Sequence, residues 1–285
     1  MFQNILVPIS SEFYSKDVIK RSNFLAGTFA GKVHLLYIIE NKPLDEMERR
    51  TDTHLTHYNR TETHHDVLNQ QRQTADDLIF KDAKHQLNKK NIDMNTSIIQ
   101  GEFSDIVAAE LEKNQYDLVI MGYERGCMID YRLINEIDIP VWIEAGGHHH
   151  SILAVCSNLA PNQKVPELSI DLAKKLDWKL RMIYVTDVED NVEVDEQGNR
   201  SEPKPLHELL FSRQEFIEHM QEKGIVVKTV QGSLQKESIK QARKMKAGLI
   251  IIGREQKKRG KLGFPIKKVK QKMAERCKYS LLFIN

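Results

Sequence analysis

Apolar residues along the chain fall in short blocks that polar stretches separate at fairly even intervals. NILVPI (4–9), VHLLYII (33–39), TSIIQ (96–100), DLVIM (117–121) and PVWI (140–143) are runs of Val, Ile and Leu too short for helices. They have the continuous hydrophobicity of strands buried on both faces, as in a parallel sheet. The segments between them carry helical spacing instead. Val165, Leu168, Leu172, Ala173 and Leu176 recur at i, i+3, i+7, i+8 and i+11, one stripe of a helix. Leu68, Ala75, Leu78, Ile79, Ala83 and Leu87 make a similar, broader stripe within 67–90, and a further helix is expected near 206–223. Strands alternating with helices imply parallel sheets with right-handed crossovers.

The pattern then repeats. NILVPIS (4–10) pairs with SILAVCS (151–157) and HLLYIIE (34–40) with RMIYVTD (181–187), both at an offset of 147. At an offset of 131, IIQG (98–101) pairs with TVQG (229–232) and DLVIMG (117–122) with GLIIIG (248–253). IPVWIE (139–144) lines up with YSLLFI (279–284). The order is kept throughout, as in a duplication with unequal loops. Two α/β domains are expected, 1–147 and 148–285, dividing at Gly146–Gly147, with IPVWIE and YSLLFI apolar enough to pair antiparallel at a shared edge.

In an open parallel sheet ligands sit beyond the carboxyl ends of the strands, where the strand order reverses. The residues to inspect are therefore those ending strand one of each repeat, Ser10 and Ser157, and those ending strand four, Gly122 and Gly253.

The strand openings NILVPI and SILAVC, the segment Gly101–Ile106 with its G-x-x-x-x-I spacing, and the strand ends VIMG and IIIG resemble the universal stress protein family in a tandem two-domain form. The resemblance implies two doubly wound domains, each a five-stranded parallel sheet in the order 3-2-1-4-5 flanked by helices, paired as single-domain relatives pair in dimers. Nucleotide-binding members carry an aspartate after strand one and a G-x2-G-x9-G-[ST] loop after strand four. Its glycines let backbone N–H groups approach phosphate, and its end opens a helix that favours an anion. Here Ser10 and Ser157 stand for the aspartates. Counted from Gly253, the loop positions hold Gln256, Ile266 and Lys267; counted from Gly122, they hold Arg125, Asn135 and Glu136. Gly260 and Gly263 form a local G-x2-G, but counting on from them reaches Met273–Ala274. Only the strand-end glycines remain, so ATP is expected to bind weakly or not at all, and no cofactor is expected. Lys267 and Lys268, at the expected start of the last helix, are the basic side chains that would stand in for lost backbone donors.

Composition narrows the picture. The chain of 285 residues is 40% hydrophobic, enough for two ordinary cores. It has no membrane-length apolar run and no leader at MFQNILVPIS. Cys127, Cys156 and Cys277 fit neither a disulfide framework nor a metal motif. A cytoplasmic protein is the simplest reading. The net charge of +2 conceals 16 basic against 23 acidic residues in 1–147 and 26 against 17 in 148–285. The C-terminal excess can be placed in Arg254–Lys278, read as a solvated helix face or, alternatively, an anion site. His54, His57, His64, His65 and Asp66, and the triplet His148, His149 and His150, have no cysteine among them, and no metal site is expected. No G-x-S-x-G elbow or Walker loop occurs, so nothing argues for an enzyme.

The reading is of a stress-response protein that acts by binding, as scaffold or sensor. Its partners would be the other repeat in an intrachain pseudo-dimer, a second copy, or another protein. One alternative is a changed nucleotide or other small ligand in the second domain. The other is nucleic acid or an acidic partner on the basic C-terminal segment.

Overall fold

The computed structural model describes residues 1–10, 14–40, 66–67, 69–70, 73–88, 92–122, 137–147, 149–254 and 278–284. Two compact units emerge, 1–133 and 134–285.

In the first unit, β1 (Asn4–Ser10), α1 (Lys16–Phe29), β2 (Lys32–Ile39), α2 (Lys81–Asn88), β3 (Met94–Gln100), α3 (Phe103–Lys113) and β4 (Leu118–Gly122) follow in sequence. Their strands are all parallel, in the order β3-β2-β1-β4. The apolar blocks are buried: Ile5, Leu6, Val7 and Ile9 of β1 and Leu118 to Met121 of β4 expose nothing. Helix α1 starts at Ser15, whose hydroxyl accepts from the Asp17 N–H, a usual N-cap arrangement. It ends at Ala30, held in the left-handed region at φ 51°.

One expected helix departs from its pattern. A wide-turned π segment, Ala75–Phe80, precedes α2. Ile79 and Ala83 are buried as their spacing requires, but Leu78 is 66% exposed. The wider turn shifts the phase of the stripe, so Leu78 leaves the core face where regular spacing puts it. Leu68 lies outside the described residues.

The second unit contains β5 (Val141–Glu144), β6 (Ser151–Ser157), α4 (Lys164–Leu176), β7 (Lys179–Thr186), α5 (Leu206–Glu222), β8 (Val227–Gln231), α6 (Leu234–Met245), β9 (Leu249–Gly253) and β10 (Ser280–Ile284). Strands β8-β7-β6-β9-β10 are parallel and give the 3-2-1-4-5 order in full. Strand β5 pairs antiparallel with β10, with Ile143 opposite Leu281 and Val141 opposite Phe283. These are the IPVWIE and YSLLFI blocks. The stripe on α4 buries Val165, Leu172, Ala173 and Leu176.

Arg254 continues β9 and corrects the reading of the basic run at its first member. It is 2% exposed, and its guanidinium donates to the carbonyls of Ile137 and Ile139 at 2.5 and 3.0 Å. Its own N–H donates to the Ile284 carbonyl. Burial lowers its pKa to about 10, against the pull of Asp138. Arg254 is thus a structural cation that ties the approach to β5 to the end of β9. The run's other members up to Cys277 lie outside the described residues.

Candidate functional site at the strand ends

Parallel pairing brings the strand-end residues together within each unit. Ile5 opposite Leu118 and Leu6 opposite Val119 set Ser10 and Gly122 at neighbouring carboxyl ends of β1 and β4. Val155 opposite Ile252 does the same for Ser157 and Gly253 on β6 and β9. Lys267 and Lys268 lie outside the described residues, as do Gly260, Gly263 and the counted loop positions after both glycines.

Each serine is engaged by its own chain. Ser10, fully buried, donates from Oγ to Glu40 Oε1 at 2.6 Å. Ser157, also fully buried, is wrapped by the turn that follows it. Its N–H donates to Asn162 Oδ1 at 2.9 Å, its Oγ accepts from the Leu159 N–H at 3.1 Å, and its carbonyl accepts from Asn162 Nδ2 at 3.0 Å.

The two glycines differ. A Cβ on Gly122 would meet Val18 Cγ2 at 3.1 Å and Ser15 Cβ at 3.2 Å, so the start of α1 packs on it. A Cβ on Gly253 would lie 1.8 Å from the Pro161 carbonyl oxygen. In the second unit the turn after β6 therefore packs so closely on the end of β9 that only glycine fits there.

Acids close the ends of the second strands, and reading strands one and four alone misses them. Glu40 receives the Ser10 hydroxyl. Asp187 is 3% exposed; its Oδ1 accepts from the N–H groups of Glu189 and Asp190 at 2.8 and 3.1 Å, and its Oδ2 from Leu234 at 2.7 Å. Leu234 is the first residue of α6, where a carboxylate complements the helix dipole. Asn158, also missed, is buried and donates to the Val192 carbonyl at 2.8 Å while accepting from the Asp187 N–H at 2.7 Å. The signal was present in the repeat itself, since HLLYIIE and RMIYVTD both end in an acid.

The remaining candidates have local explanations. Cys156 is wholly buried, which raises its thiol pKa far above the usual range. His150 stacks on Trp178 with ring centroids 5.7 Å apart, while His148 and the 54–65 histidines lie outside the described residues. Among the described residues no group of three metal-ligating side chains assembles, and no helix is long and apolar enough to cross a membrane.

Residues 1–141 match the universal stress protein family. The chain belongs to the universal stress protein family. The match lies in its first half. Solved structures resemble the chain end to end: a universal stress protein from Archaeoglobus fulgidus DSM 4304 at 12% identity and TM-score 0.65, covering 100% of this chain and 99% of that one. A functionally unknown protein from Pseudomonas aeruginosa PAO1 aligns at 16% identity and TM-score 0.66, over 99% and 92%. At such identities the likeness is one of fold, and it extends the universal stress protein architecture to the second half. No curated protein matches. In the G-x-x-x-x-I segment Gly101, at φ 156°, leaves room for Ile106, whose Cδ1 would lie 2.8 Å from an added Cβ.

Proposed function

We propose that this universal stress protein is a cytoplasmic stress-response protein that acts by binding, as scaffold or sensor, with no chemistry of its own and with a disabled nucleotide loop in both repeats. The observation that carries this, for the second repeat, is the Pro161 carbonyl packed against Gly253. Inward bonding of Ser10 and Ser157 supports it, because the polar groups at both strand-one ends already have protein partners. In this reading the repeats 1–147 and 148–285 form a pseudo-dimer, supported by the antiparallel pairing of β5 with β10.

Titration of the full chain with ATP by calorimetry tests it. The expected result is no heat of binding, or a dissociation constant of about 1 mM or weaker, equivalent to roughly 4 kcal/mol. A micromolar constant, or ATP retained through purification, overturns the reading.

A further inference from the structure

A segment of the second unit that the strand-end reading does not use folds over the α5 side of β7. After Asp187 the chain runs as a strap through 190–204. The Val194 N–H donates to the Asn158 carbonyl at 2.7 Å, Val194 bridges Arg200, and Glu196 Oε2 accepts from the Gln163 N–H at the start of α4 at 3.0 Å. Beneath the strap is a cavity of about 420 Å³, lined in part by Tyr184, Glu193, Arg200, Lys204, Ser212 and Phe216. That volume suits a small organic molecule.

Two polar groups lining this cavity have unused capacity. Glu193 Oε1 is buried with no hydrogen-bond partner, although the same carboxylate pairs with Lys204. The Tyr184 hydroxyl makes no hydrogen bond among the described residues, and its ring lies 5.2 Å from that of Phe216, tilted by 47°. Burial raises the Tyr184 pKa.

A carboxylate can only accept, whereas a hydroxyl both donates and accepts. The site's cations are already matched, Lys204 to Glu193 and Arg200 to Asp190 at 2.8 Å. A polyphosphate would have to lie beside Glu193, Asp195 and Glu196, where like charge repels it. We propose that this cavity binds a small uncharged polyol of monosaccharide size, with hydroxyl groups on Glu193 and Tyr184 and its carbon face on the Tyr184 and Phe216 rings. The inference rests on the geometry of the second unit and not on the stress-response reading.

Saturation-transfer NMR on the full chain tests it, with D-glucose, D-ribose and myo-inositol as probes at about 10 mM each, and ATP in parallel. Transfer to at least one polyol is expected. Glu193→Gln and Tyr184→Phe should each weaken that polyol about tenfold, while Lys236→Gln, on the surface of α6, leaves it unchanged. Tyr184→Phe keeps the ring and the packing, so it reports on the cavity even if Glu193→Gln loosens the strap. Transfer to none of the three, or transfer that both variants leave unchanged, overturns the proposal. ATP binding alone overturns the proposal, and with a micromolar constant by calorimetry the nucleotide reading as well, while polyol binding without ATP transfer supports both.

Discussion

Gly253 and Gly122 look equivalent in sequence, yet they meet different surroundings. At Gly253 an added methyl would drive into the Pro161 carbonyl oxygen, which is backbone and cannot swing aside. Gly253→Ala should destabilise the protein by about 3 kcal/mol, the upper range of overpacking. Gly122→Ala meets side-chain carbons at 3.1 and 3.2 Å and should cost under about 1 kcal/mol; urea unfolding of both variants checks the contrast. His34 gives a second prediction at this scale. Its Nδ1 meets the Tyr116 hydroxyl at 2.5 Å and its Nε2 the Ser97 hydroxyl at 2.8 Å. Tyr116 donates to Glu110 at 2.7 Å, so the ring carries its proton on Nδ1. Burial lowers the His34 pKa from 6.5, more than Glu110 raises it. The unfolded chain therefore takes up this proton at higher pH than the folded one. The contribution of the neutral ring is present above the ordinary histidine pKa and is lost as pH falls through the lowered value. His34→Gln should flatten part of the acid limb of stability against pH, measured by urea midpoints between about pH 5 and 7. The burial of Arg254 was not legible in sequence, because its neighbours are basic and only the folded chain brings the Ile137 and Ile139 carbonyls to it.

The strands were legible where both faces are buried, because a short continuous apolar run marks them, and the helices where a stripe at helical spacing does. Strands β1, β4, β6 and β9 all lie in the blocks the sequence marks, and α4 buries its stripe. The π segment before α2 was not legible, since composition does not distinguish an extra residue per turn from a regular helix. Helix ends were also silent. Ala30, Asp177 and Lys246 all hold the left-handed region at helix C-termini, at φ 51°, 55° and 52°, where glycine is the usual residue. Ala30 is exposed, so replacing it removes a backbone penalty and little packing. Ala30→Gly should stabilise the protein by about 0.5–1 kcal/mol, read as a raised thermal midpoint.

Across the whole molecule, the repeat alone carried the fold, and the missing family residues led to the expectation of weak ATP binding. The close packing at Gly253 depended on a turn, 157–162, whose path no local pattern announces. The charge contrast between 1–147 and 148–285 belongs to this scale as well. Replacing Lys257, Lys258, Arg259 and Lys261 with glutamine should leave the circular dichroism unchanged and reduce any self-association seen at low salt by sedimentation, since exposed charges act at long range only when unscreened. The antiparallel strand β5 has a consequence of timing. Its partner β10 is synthesised about 140 residues later, which at roughly 5–20 residues per second is a delay of some 7–30 seconds. During that interval Val141, Trp142 and Ile143 leave the ribosome with no β10 to cover them, although all three are buried in the finished fold. A nascent chain of this protein therefore offers an apolar strand to chaperones or to neighbouring chains until its own C-terminal segment arrives.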